Sequence, residues 1–155
     1  MKDEFGDLEK DLKIIVNKAG LPSFVMDKEN QIKFLNTITC CPHGVIAWSK
    51  EMVDLVETST NLASAKFSDN NTIKIITTQR SSMESAKHDA AEMVESCLRL
   101  AGAEVMHSDG YPGWKPNLNS PIMKLSKATY KSLFGKEPAI KAIHAGLECG
   151  IIGER

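Results

Sequence analysis

Thr58-Ser-Thr-Asn-Leu-Ala-Ser-Ala-Lys-Phe-Ser-Asp-Asn-Asn-Thr-Ile-Lys-Ile-Ile-Thr-Thr-Gln-Arg80 is the stretch from which the fold is read. Ala63, Ala65 and Phe67 alternate with Leu62, Ser64 and Lys66. Successive side chains of a strand point to opposite faces, so this alternation predicts a strand over about 58–67. Ser68-Asp69-Asn70-Asn71 is turn chemistry: short polar side chains bond the local backbone, and Asn tolerates left-handed geometry. Thr72 to Arg80 is a second run rich in β-branched residues, and two such runs about a turn make a hairpin. Ile73 and Ile75 share one face of its second strand. Lys74, Ile76, Thr78 and Arg80 share the other, which is therefore largely polar.

Helical patterns flank the hairpin. Upstream, Phe5, Leu8, Leu12, Ile15, Val16 and Ala19 recur at three- and four-residue spacing, which predicts an amphipathic helix over about 4–19. Acids crowd its start and lysines its end, as the helix dipole favours, and Gly20 and Pro22 stop it. Asp27 is placed to cap a shorter helix through Ile32, Leu35 and Ile38. Downstream, Ser81 and Glu84 have capping-box spacing. Ala86, Ala90, Met93, Val94, Cys97, Leu98 and Ala101 follow as one stripe, closed by Gly102. Ala103-Glu104-Val105-Met106 reads as a further strand. Strand, strand, helix, strand, with a helix before them, predicts an α+β fold: a two-layer sandwich with helices on one face of an antiparallel sheet.

The 155 residues are enough for one domain or for parts of two, and 42% hydrophobic content supports a packed core. The formal net charge is −1, with acids and bases interspersed. A nucleic-acid surface needs clustered Lys and Arg, so this balance speaks against one. No apolar run reaches the roughly 20 residues that span a bilayer. The acidic N-terminus lacks the apolar core of a signal peptide. Cys40, Cys41, Cys97 and Cys149 make neither a C-x-x-C pair nor a zinc-ligand spacing, and free thiols suit a reducing compartment. A cytoplasmic protein that contacts neither membrane nor nucleic acid is expected.

Residues 109–121 change character, with three prolines and two glycines around Tyr111 and Trp114. Such composition marks a boundary, and the aromatics argue for an ordered hinge. Ser120 as cap and Pro121 in the first turn then start a helix through Ile122, Leu125, Thr129, Leu133 and Phe134 that ends at Gly135. A β-type run from Ala139 to Ile143 follows. It breaks into His144-Ala145-Gly146-Leu147-Glu148-Cys149-Gly150, which places an imidazole, a carboxylate, a thiol and two glycines in seven residues. Chemistry of that density after a strand suits a ligand-contacting loop on a rigid scaffold, and equally a strand end with a core His and Cys. Helix then strand after a hinge is the start of an α/β unit that the chain does not complete.

Tyr111-Pro112-Gly113-Trp114-Lys115-Pro116, Asn119-Ser120-Pro121 and His144 to Gly150 together resemble the Xaa-His dipeptidases. These are also called aminoacyl-histidine dipeptidases or peptidase D, and are co-catalytic zinc metallopeptidases. Weaker similarity runs back through Arg80-Ser81, Asp69-Asn70-Asn71 and Pro42-His43-Gly44-Val45, so it covers most of the chain. The resemblance implies a two-zinc catalytic domain carrying an inserted ferredoxin-like lid that dimerises. On it, residues 1–110 are the second half of the lid and 111–155 are the hinge and a partial C-terminal segment of the catalytic domain. The family's metal ligands fall outside the sequence, so the chain is expected to be an inactive fragment holding no zinc and no catalytic residue. His107-Ser108-Asp109 has His-x-Asp spacing, but stands at the lid exit and is not expected to bind metal.

What remains for the chain is substrate contact and dimerisation. Arg80, at the end of a polar strand face, is the candidate for the free carboxylate of a dipeptide, because guanidinium grips carboxylate through a planar fork. The resemblance puts His144, Gly146 and Glu148 at the cleft between lid and catalytic domain. The rival expectation is a stand-alone ferredoxin-like module for dimerisation or small-ligand binding.

Overall fold

The computed structural model describes residues 5, 8, 9, 11–114, 116–142, 144 and 152. Six elements follow in chain order: α1 (Lys28–Cys40), β1 (Gly44–Trp48), β2 (Val56–Ser68), β3 (Thr72–Ser81), α2 (Glu84–Leu100) and α3 (Pro121–Phe134). The strands form one antiparallel sheet in the order β1-β2-β3. Helix α2 packs on β2 and β3, and α1 packs against α2. This is the α+β arrangement read from the hairpin, with helices on one sheet face.

The turn between β2 and β3 is a short 3₁₀ segment, Asp69–Asn71, in which Asn70 and Asn71 take φ of 62° and 57°. Asparagine carries this geometry better than other side chains because its amide bonds locally. From the turn, Ser68 pairs with Thr72, Phe67 with Ile73 and Ala65 with Ile75. The register then slips between Leu62 and Ser64, leaving Ala63 as an extra residue. A bulge of one residue exchanges the faces beyond it. Phe67 and Ala65 therefore share a face with Leu62, Thr60 and Thr58, not with Ala63 as simple alternation suggests. That face carries the core: Cys41, Val94 and Leu98, with Leu62, Ile75, Cys97 and Val105 packed against them. Burying an aliphatic side chain of this size contributes about 1.5–3 kcal/mol.

At the far end of the hairpin the same face turns polar. Thr58, Thr60 and Ser81 are buried, and the Thr58 and Ser81 hydroxyls bond at 2.8 Å. Gln79 Nε2 donates to Thr60 Oγ1 at 3.1 Å. Satisfying one another lets these groups leave water without the roughly 1–3 kcal/mol penalty of an unmade bond.

Helix α1 starts as its cap predicts: Asp27 Oδ1 accepts from the Asn30 N–H at 3.0 Å. Helix α3 does the same, with Ser120 Oγ accepting from Met123 N at 3.3 Å and Gly135 closing it at φ 68°. None of the α3 residues is buried.

Four expectations fail. Residues 12–20 form no helix, although single turns join Glu9 to Phe5 and Leu12 to Glu9. An amphipathic helix owes most of its stability to covering its apolar face, and here Ile15 and Val16 are 76% and 89% exposed. Residues 103–106 form no strand. The Ala103 N–H instead turns back to the Leu98 carbonyl, past Gly102 at φ 82°, to close α2. Nor are residues 139–142 a strand, since no neighbour hydrogen-bonds to them among the described residues. Lastly, Ser81 and Glu84 make no capping box, because Ser81 ends β3 and α2 begins at Glu84. Ser81 Oγ accepts from Met83 N, and the Glu84 carboxylate is engaged elsewhere.

Candidate functional site

Beyond the bulge, Arg80 of β3 stands opposite Ser59 of β2. Both lie on the face turned away from α2, the polar face predicted for β3. Ser59 Oγ and His144 Nε2 are 2.8 Å apart, a contact between positions 85 apart in sequence. The hairpin thus brings Arg80 and His144, the two described members of the expected substrate set, to one place. Gly146 and Glu148 lie outside the described residues, as does Cys149.

Arg80 and His144 line a cavity of about 90 Å³ with Lys87, Tyr111, Gly113 and Trp114. The cavity is open to solvent on one side, so a polar group of a small ligand can enter it beside Arg80. Among the described residues no carboxylate pairs with the Arg80 guanidinium, which is exposed at the strand end. The cavity's apolar wall is the segment 111–114. Gly113 is required there: a Cβ on it would lie 2.4 Å from the Ser81 carbonyl oxygen. Only glycine allows the backbone to approach so closely.

Burial, and then the Arg80 charge, hold the His144 imidazole below its ordinary value of 6.5, while the Val56 backbone opposes them. The ring is therefore neutral at pH 7, with Nε2 in contact with Ser59. Because its folded value is depressed, its seating is unopposed above 6.5 and weakens as pH falls through that value. An NMR titration should give His144 a midpoint below 6.5, and Arg80→Gln should raise that midpoint.

His107 takes no part in the cavity. Its Nε2 lies 2.7 Å from Glu95 Oε2, and Arg99 Nε donates to Glu95 Oε1 at 2.6 Å. These contacts, His107 first, hold the Glu95 carboxyl below the usual range. Among the described residues, no three His, Cys, Asp or Glu side chains converge as metal ligands would. A larger cavity of about 630 Å³ lies on the helical side of the sheet, among Phe24, Phe34, Phe67 and Ile73. Phe24 and Phe67 meet edge to face there at 6.0 Å. Its lining is mainly apolar, and Asp27 is occupied in capping α1.

Ser59 went unread in the sequence because nothing local distinguishes it among Thr58, Ser59 and Thr60. Only the register sets it against Arg80. His43 was read only as part of the Pro42-His43-Gly44-Val45 similarity, with no structural role assigned to it. Its Nδ1 accepts from the Leu62 N–H at 3.0 Å, so a side chain takes over backbone pairing where β1 has not yet begun.

No family model matches the chain. Over 151 residues, 97% of its length, it is 36% identical to the cytosol non-specific dipeptidase of Escherichia coli strain K12. Its structure superposes with a TM-score of 0.86, at 34% identity and over 99% of the chain, on the crystal structure of an aminoacylhistidine dipeptidase from Vibrio alginolyticus. The chain is a homologue of these dipeptidases. It spans 31% of the length of each. No helix among the described residues is long and apolar enough to cross a membrane.

Proposed function

We propose that this chain supplies the hinge and half of the lid of a cytoplasmic, zinc-dependent dipeptidase that hydrolyses Xaa-His and related dipeptides. The observation that carries the reading is Arg80, a guanidinium with no carboxylate partner among the described residues. It borders an open cavity beside His144, in a chain homologous to dipeptidases. A dipeptidase must recognise a free C-terminal carboxylate, and guanidinium provides the matching fork. On this reading residues 1–110 belong to the lid and 111–155 to the hinge and catalytic domain. On this reading the zinc ions are held outside this chain, and no step of hydrolysis is assigned to it. The lid also joins two subunits, and the exposed apolar residues of α3, including Ile122, Leu125, Leu133 and Phe134, are covered in the whole protein.

The test is hydrolysis of Xaa-His dipeptides by the intact protein before and after removal of metal. Activity should fall to background with a chelator and return with zinc, whereas residues 1–155 alone should show none. Undiminished turnover after complete metal removal would refute the zinc dependence, and absence of turnover with zinc present would refute the dipeptidase itself.

A further inference from the structure

The N-terminal turn of α2 does more than begin a helix. Glu84 Oε1 accepts from the Gly113 N–H at 2.6 Å and from Lys87 Nζ at 2.9 Å, while Oε2 lies 2.8 Å from the same Nζ. Lys87 Nζ donates also to the Tyr111 carbonyl at 3.0 Å. The Lys87 side chain is only 19% exposed, against 50% for Glu84. An ordinary i,i+3 surface pair joins only its own helix and is worth a few tenths of a kcal/mol. This pair also takes a backbone donor and a backbone acceptor from a segment about 25 residues further along the chain, two positions apart at 111 and 113. It holds that segment where Gly113 presses on the end of β3, one residue beyond Arg80.

We propose that Glu84 and Lys87 are positioning residues. They clamp the Tyr111–Trp114 connector against the end of β3, and so fix the apolar wall facing Arg80 in the place where the C-terminal residue of a dipeptide is received. The inference rests on the dipeptidase reading for its substrate, and on the geometry alone for the clamp. Glu84 does not line the cavity, and the Lys87 ammonium at its wall is already engaged by Glu84 and the Tyr111 carbonyl, so both act through Tyr111, Gly113 and the cavity they close. A misplaced wall weakens retention of the dipeptide, while bond cleavage is assigned to metal ions outside this chain, so the effect falls on KM.

Two measurements on the intact protein test this. The first is amide hydrogen exchange at Gly113 without substrate. Glu84→Ala should accelerate it about tenfold or more, the loss of one charge-assisted hydrogen bond, and Glu84→Gln should accelerate it less, because an acceptor remains. The second is steady-state hydrolysis of an Xaa-His dipeptide. KM should rise about tenfold in Glu84→Ala and in Lys87→Met, with kcat within about twofold. The double variant should be no worse than the poorer single one, since the two act as a unit. Unchanged exchange at Gly113 overturns the clamp. Accelerated exchange with an unchanged KM, or a loss confined to kcat, overturns the positioning role. Wild-type protein that cleaves no dipeptide removes the dipeptidase reading and the positioning role with it, while the exchange result still decides the clamp.

Discussion

On the dipeptidase reading proposed above, Arg80→Ala in the intact protein should lower kcat/KM for Xaa-His dipeptides about 100-fold, mainly through KM. A charge-assisted hydrogen bond contributes about 1.5–3 kcal/mol, and each 1.4 kcal/mol is a factor of ten. The upper part of that range applies because a guanidinium can meet a carboxylate with two parallel bonds. Arg80→Lys keeps the charge and loses the fork, so it should recover only part of the loss, to about tenfold below wild type. The fold should be unaffected. Arg80 is exposed and has no carboxylate partner among the described residues, and substitutions at such positions usually change stability by less than about 0.5 kcal/mol. The decisive control is a dipeptide whose C-terminus is amidated. Wild type should discriminate against it strongly, and Arg80→Ala should not. Equal discrimination by both proteins would place the carboxylate elsewhere.

Gly113→Ala should be the most damaging single methyl group in the connector. The new Cβ would meet the Ser81 carbonyl oxygen at 2.4 Å and the Ser82 carbonyl carbon at 3.2 Å, both backbone atoms that cannot swing aside. Overpacking of this kind costs about 1–3 kcal/mol, enough to shift the docking of the segment roughly 10- to 100-fold. Residues 111–114 should lift from β3, taking the Gly113 N–H away from Glu84. In a Trp48→Phe background of residues 1–155 the remaining tryptophan is Trp114, and its emission should move to longer wavelength as it gains water. The hairpin itself should survive, because the Thr58–Ser81 bond and the core beneath α2 do not involve Gly113. An unshifted emission spectrum with unchanged thermal stability would show that the backbone accommodates the methyl group.

Much of the fold was legible because its signals are local. Asp27 and Ser120 announced two helices by side-chain chemistry that acts within three residues, and Asn70-Asn71 announced the hairpin turn by a backbone geometry few residues accept. The errors fall where a segment depends on something distant. Residues 12–20 and 103–106 carry sound periodicity, yet a helix face or a strand edge without a covering neighbour gains little from it. The candidate site divides the same way. Arg80 could be picked out from its strand and its chemistry, and His144 from the motif around it. Their meeting at Ser59 could not, because counting outward from the turn pairs Arg80 with Thr60. The slip at Ala63 moves the partner by one, to Ser59. Glu84 was seen in sequence as a helix-capping residue, since its partner at Gly113, and the Tyr111 carbonyl held by Lys87, require the connector to fold back.

That slip has a consequence for how the chain tolerates change in length. Ala63 has no partner on β3, so the pairings on either side of it do not need it. Deleting it would set Leu62 directly before Ser64 and leave Leu62 opposite Thr77, Ser59 opposite Arg80 and Thr58 opposite Ser81. Deleting a paired residue beyond it, such as Asn61, would instead bring Ser59 opposite Gln79 and Thr58 opposite Arg80. Ser59 would then turn inward, and Arg80 would lose the neighbour that anchors His144 beside it. Two omissions only two residues apart in β2 would thus have opposite outcomes, one closing the strand into a regular ladder and the other taking the cleft apart while sparing the turn.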